Sequence, residues 1–201
     1  MVGLIMLNVR LLTIVWAVAV GLSAVRPHNW QIWAMELAPV FLAWPVLWAT
    51  AKRFPLTPLL YGLILVHGLI LILGGHYTYA RVPMGLEFAE WMGWSRNPYD
   101  KLGHFFQGLV PALLAREVLL RRRDIARGGM LSFLCVCVAL GVSAVYELLE
   151  WWIAVGWGDG AIDFLGVQGD VWDAQSDMLM AWVGAIIGLL VFSRLQDRQL
   201  R

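Results

Sequence analysis

The chain has 201 residues, 60% hydrophobic and 14% charged, with a net charge of +1 and a mean hydropathy of +0.70. Soluble domains carry roughly 45–50% apolar and about 25% charged residues, so a water-soluble core is excluded as the default and a polytopic membrane protein is expected. No basic run interleaved with aromatics is present, so the expected partner is the lipid bilayer and not nucleic acid.

Crossing a bilayer takes about 20 apolar residues. Six stretches qualify, near 4–25, 32–50, 57–73, 102–120, 130–154 and 171–193. The expected fold class is therefore an all-α polytopic transmembrane helical bundle, with 1–201 as a single integral-membrane domain. The first stretch carries Arg10, so its membrane part can begin at Leu11; Leu22-Ser23-Ala24 also offers a small-residue cleavage site, the alternative being a signal peptide. After the third stretch comes "GGHYTYARVP", where Gly74-Gly75 is expected to end the span and Pro83 to keep the next residues out of a regular helix. The loop 74–97 is long and rich in Trp and Tyr, which reads as an interfacial segment, either an anchor or a lid. Its His76, Tyr79 and Arg81 are candidate substrate-binding residues, and Arg81, Arg96 and Lys101 are placed to meet a phosphate or carboxylate.

Asn97-Pro98 precedes the fourth span, Gly128-Gly129 the fifth, and Gly156, Gly158 and Gly160 come after the fifth. In the sixth, Gly184 and Gly188 form a small-xxx-small pair suited to close helix contact. Cys135 and Cys137, the two cysteines, point in different directions on a helix, so neither a disulfide nor a metal pair is expected. No internal repeat is found, which counts against a transporter built from repeated halves. Most of the fifteen basic residues, including Lys52, Arg53, Arg121, Arg122, Arg123 and Arg127, fall on one side if the termini and the loops after spans two and four share it. The positive-inside rule then makes both termini cytoplasmic. Most of the acids and most Trp residues fall toward the other, outer side.

Three helices send ionisable groups to that outer end. Asp100 and His104 share a face at i and i+4, Glu147 and Glu150 at i and i+3, and Asp170, Asp173 and Asp177 at i, i+3 and i+7. A charge at the centre of a span costs about 2.5–3.5 kcal/mol on insertion scales, so several together must meet water, donors, a cation or shared protons. A divalent cation meets that need. Carboxylates with one His suit manganese, magnesium or calcium, and also zinc or iron. The expected ligands are His104, Glu147, Asp173 and Asp177; the candidate catalytic groups are Asp100, His104, Glu147 and Glu150; Asp170 joins the substrate-binding set. Asp100 and Glu150 either ligate or orient the ligands.

Blander readings compete. Asp100 and Asp170 suit helix caps, Asp173 complements a helix dipole, and His104 alone suits packing. Capping does not reach Asp177, two turns in, or Glu147, a turn inside its helix. Asp159 and Asp163 read as solvated loop acids. Three functions are compatible with these residues: a membrane-embedded hydrolase or transferase acting on a lipid-linked, envelope or small-molecule substrate; a cation- or proton-binding or transport protein; or a structural, partner-binding protein. Gln107, Ser143 and Arg116 are the few polar residues continuing inward, a thin path for transport. Walker-type loops are absent, and Ser132, Ser143 and Ser176 have no evident His partner.

The stretches "HYTYARVP", "NPYDKLGHFFQGLVPALLARE", "YELLEWW" and "FLGVQGDVWDAQSDMLMAWVGA", covering about 74–190, resemble the YjdF-like family of bacterial inner-membrane proteins. The resemblance implies a multi-pass inner-membrane protein and brings no assigned activity. A fainter likeness is to VanZ-like proteins, through Asp100, Lys101 and His104, Glu147 with Glu150 in a Gln place, and Asp173 with Asp177 in an Asn place. The Arg that such proteins usually carry before the last Asp is missing here, so that likeness implies a shared scaffold with a more negative site.

Overall fold

The computed structural model describes residues 2–157, 162–165 and 167–201, and every regular element among them is helical. In chain order these are α1 (Val2–Ser23), α2 (Trp30–Glu36), α3 (Ala38–Thr50), α4 (Pro58–Tyr77), a 3-10 turn (Tyr79–Arg81), α5 (Pro83–Met92), α6 (Tyr99–Arg122), α7 (Gly129–Trp157), α8 (Ile162–Leu165) and α9 (Asp173–Gln199). The stretches Trp30–Thr50, Pro58–Tyr77, Gly129–Trp157 and Asp173–Gln199 are long and apolar enough to cross a membrane, and Val9–Ser23 is a shorter apolar helix. With α1 and α6 they make up the six expected segments. The described chain divides into two compact units, one of residues 1–78 with 195–201, the other of 79–194.

In the first unit α1 packs along α4. Trp16 is buried, donates its Nε1 hydrogen to the Leu65 carbonyl at 3.2 Å, and fills the space a side chain at Gly68 would need. The second expected span is two helices. Asn29 caps α2, its Oδ1 accepting from the N–H groups of Gln31 (2.8 Å) and Ile32 (3.1 Å). The helix then breaks at Leu37, because Pro39 has no N–H for the Met35 carbonyl and its ring crowds that position. A second expectation is corrected here: α4 runs straight through Gly74-Gly75. A methyl at Gly75 would lie 2.5 Å from Leu37 Cδ1 and 3.3 Å from Glu36 Cβ, so this glycine serves close approach and not chain reversal. His76 and Tyr77 are therefore helical.

The second unit corrects a third expectation. Pro83 starts a helix instead of preventing one: it occupies the first turn of α5, where a missing N–H costs nothing. Gly93, at φ +68°, ends that helix. Next, α6 carries Asp100, Lys101, Arg116, Glu117, Arg121 and Arg122, too many charges for a lipid-facing helix. It turns His104, Gln107, Arg116 and Glu117 inward instead. On α7 the residues Leu131, Cys135, Ala139 and Ser143, each four apart, form the buried stripe. Finally α9 lies against α6 backbone to backbone: a methyl on Gly108 would overlap the Ala181 carbonyl, and one on Gly184 would overlap the Phe105 carbonyl. The small-residue pair thus has its partner in α6.

Candidate functional site

Asn97 organises the entry to α6. Its Nδ2 donates to the carbonyls of Ala80 (3.2 Å) and Val82 (3.0 Å), and its Oδ1 accepts from the Tyr99 N–H at 3.0 Å. Only glycine fits at 85, since a Cβ there would collide with that Oδ1. Gln168 grips the same residue from the loop before α9: its Oε1 accepts the Asn97 N–H at 2.9 Å and its Nε2 donates to the Asn97 carbonyl at 3.1 Å. Arg96 adds a bond from Nη1 to the Val167 carbonyl at 3.2 Å. The start of α6 and the start of α9 are thereby fixed against each other.

The ionisable groups meet at this end. Lys101 Nζ donates to Asp173 Oδ1 (2.9 Å), Ser176 Oγ (2.6 Å) and Asp177 Oδ1 (2.8 Å). Arg96 pairs with Asp100 (3.5 Å), Asp170 (3.3 Å) and Asp173. Five carboxylates, from Asp100, Glu147, Asp170, Asp173 and Asp177, thus share this end with two permanent cations, leaving a net charge of −3 if His104 is neutral. His104 stands among them. Its Nδ1 lies 3.0 Å from Gln107 Oε1 and 3.6 Å from Glu147 Oε1; its Nε2 lies 3.4 Å from Asp100 Oδ1 and 3.7 Å from Asp177 Oδ1. One donor atom each from Asp100, His104 and Asp177 falls within 4.8 Å of the others, and all three residues are buried.

Residues 8–198 match the family described as "Predicted membrane protein (DUF2238)". The chain belongs to that family. It is 57% identical over 181 residues to "Inner membrane protein YjdF" of Escherichia coli (strain K12), covering 90% of this chain and 85% of that protein. No solved structure matches it. The YjdF-like resemblance and the multi-pass inner-membrane character are thus shown, whereas the VanZ-like resemblance is not.

The geometry redistributes the roles expected from spacing. Asp100, one expected cap, leaves capping to its neighbours: Pro98 holds the N-cap position and Asn97 receives the Tyr99 N–H. Asp170 does act locally, its Oδ1 accepting from the Trp172 N–H at 2.9 Å, and it also meets Arg96. Asp173 is held by Arg96 and Lys101, while Glu147 approaches His104 from the Nδ1 side, opposite Asp100 and Asp177. Arg96 and Lys101, read as able to meet a phosphate or carboxylate, are engaged by the protein's own carboxylates. Tyr79 is buried against Tyr99, ring centroids 5.9 Å apart, and Arg81 ends the 3-10 turn. His76 belongs to the first unit, its Nδ1 2.8 Å from the Ser23 carbonyl oxygen. Asp159 and the side chain of Asp163 lie outside the described residues. Spacing missed Asn97 and Gln168; the one signal for them is the Asn-Pro pair that opens α6.

Beside the cluster lies a cleft of about 420 Å³, lined by Glu147, Glu150, Trp151, Asp170 and Asp173, with Leu165, Val167 and Val171 among its apolar walls. Glu150, expected among the catalytic groups, thus lies on the cleft with Glu147.

Proposed function

We propose that Asp100, His104 and Asp177 hold a divalent metal ion, and that the protein is a membrane-embedded hydrolase or transferase using it on a substrate in the adjoining cleft. One observation carries this reading. When Nδ1–H donates to Gln107 Oε1, Nε2 of His104 faces the carboxylates of Asp100 and Asp177, an arrangement that is repulsive unless a proton or a metal cation lies between. The separations of 3.4 and 3.7 Å are long for hydrogen bonds. They are near those of ligands sharing one ion, which at roughly 2.0–2.2 Å from the metal sit about 3.0–3.6 Å apart. Gln107 would then be the group that orients the ligating imidazole.

Manganese, magnesium, calcium and zinc remain the candidate ions, and such an ion supplies Lewis acidity and an activated water. With such an ion bound, Glu147, on the cleft and next to the imidazole, would serve as the proton acceptor. The distribution of Lys and Arg supports a site on the periplasmic side, with both termini cytoplasmic. Elemental analysis of protein purified in neutral detergent, beside His104→Ala and Asp177→Asn, tests the proposal. About one equivalent of divalent metal is expected in the parent and less than a tenth in either variant. Metal-free parent protein that does not take up added manganese or zinc would instead leave His104 as an imidazolium shared by carboxylates, the proton-handling alternative.

A further inference from the structure

Helix α5 has ten residues and is therefore about 15 Å long, half the roughly 30 Å of a hydrocarbon core, so it cannot cross a bilayer. Its side chains sort into three faces set roughly a third of a turn apart. Gly85 and Ala89 are buried and form the face turned to the protein. Met84, Phe88 and Trp91, at i, i+4 and i+7, are 60%, 44% and 78% exposed. Glu87 and Glu90, at i and i+3, make up an exposed third face, and their carboxylates have no ion pair or hydrogen bond among the described residues. The apolar face is also aromatic: the Phe88 ring centroid lies 5.8 Å from that of Trp91 and 5.7 Å from that of Trp94, itself half exposed.

A row of large apolar side chains this open to water is unfavourable and marks an interaction surface. Two observations identify what covers it. Residues 78–82 alone separate α5 from the end of α4, a helix long and apolar enough to cross a membrane, so the patch continues the chain's lipid-facing surface at a membrane boundary. Trp and Phe on one face with carboxylates on another is, moreover, the division of a helix lying in the headgroup layer. The segment is fixed and not hinged, which opposes a lid. Asn97 Nδ2 holds the carbonyls of Ala80 and Val82 at its start, and Gly85 sits against Asn97 Oδ1 with no room for a Cβ.

We infer that α5 lies in the plane of the membrane and docks on its lipid surface. Met84, Phe88 and Trp91 enter the boundary between headgroups and acyl chains, while Glu87 and Glu90 face water. Of the two readings of segment 74–97, anchor and lid, this is the anchor. Because Asn97 ties α5 to the first turn of α6, the helix also sets the depth at which Asp100 and His104 stand. The inference uses no metal and stands or falls apart from the metal reading.

Spin-label accessibility in vesicles tests it. The full chain carrying Cys137→Ala keeps Cys135, which is fully buried and out of reach of a thiol label. In that background Met84→Cys, Phe88→Cys, Trp91→Cys, Glu87→Cys and Glu90→Cys are labelled singly, all at exposed positions where a nitroxide displaces no core. The proteins are reconstituted in phosphatidylethanolamine with a minor share of phosphatidylglycerol. Relaxation by oxygen, which concentrates in lipid, is compared with relaxation by a water-soluble nickel chelate. The oxygen-to-nickel ratio is expected to be at least about fivefold higher at positions 84, 88 and 91 than at 87 and 90. Ratios that do not separate the two faces put the whole helix in one medium and overturn the inference. Exclusion of both reagents from 84, 88 and 91 would reveal a protein partner on that face and overturn it as well.

Discussion

Lys101→Met isolates the contribution of the cation buried among the acids. The ammonium spends its three protons on Asp173, Ser176 and Asp177 at 2.6–2.9 Å, and the side chains of Lys101, Asp173 and Asp177 are 19%, 8% and 3% exposed. Methionine keeps the length of the stem and loses the charge. Removing one partner of a buried ion pair costs about 3–5 kcal/mol, because the other charge is left uncompensated. Arg96 still holds Asp173, so the loss concentrates on Asp177 and the low end, about 3 kcal/mol, is expected. For a chain of this size that is a fall in melting temperature of roughly 6–12 °C. Adding Asp177→Asn to Lys101→Met should recover at least half of the loss, since an amide leaves no charge stranded. Saturating divalent cation should raise the melting temperature of Lys101→Met more than that of the parent, the site now being one charge more negative. The measurement is thermal unfolding in detergent followed by size-exclusion chromatography. A single variant that melts within about 2 °C of the parent, or a double variant no more stable than the single, would refute the reasoning.

Three further outcomes are expected. Asn97→Ala removes the side-chain donor to the Ala80 carbonyl and the acceptor of the Tyr99 N–H, while the Val82 carbonyl keeps the N–H groups of Gly85 and Leu86, and should cost about 2 kcal/mol, read as a lower melting temperature and faster proteolysis near α5. Ser143→Ala should stabilise by about 1 kcal/mol, because that hydroxyl is fully buried with no hydrogen-bond partner among the described residues, a gain visible in the same melting assay. Gly184→Ala drives a methyl into the Phe105 carbonyl and should prevent recovery of monodisperse protein, whereas Gly188→Ala meets the buried Leu109, at 2.9 Å from Cγ and 3.4 Å from Cα, and should cost about 1–3 kcal/mol.

Residue type and spacing already expose much of the site. Asp100 with His104, and Glu147 one helix later, stand out because charge inside a span must be compensated, and the periodicity of 3.6 puts each pair on one face. What spacing does not show is which acid meets which cation. Lys101 and Asp177 are 76 positions apart, and only the antiparallel run of α6 and α7 and the return of α9 make them neighbours. The errors in local structure have a common cause. Gly74-Gly75 and Pro83 are read as breakers by their backbone chemistry, yet a glycine also permits close approach and a proline also begins helices. Neighbouring helices decide between those uses. At Pro39 the backbone chemistry prevails, and α2 and α3 separate within what reads as one span.

The sequence alone determined that this is an all-helical membrane protein and which residues are too polar to face lipid, because the bilayer enforces both through length and charge in each segment separately. The tertiary structure decided the pairing. Backbone contact at Gly108 and Gly184 brings α9 against α6 closely enough for Lys101 to reach Asp177 and for His104 Nε2 to face two carboxylates, and such distances depend on packing between segments that no single helix encodes.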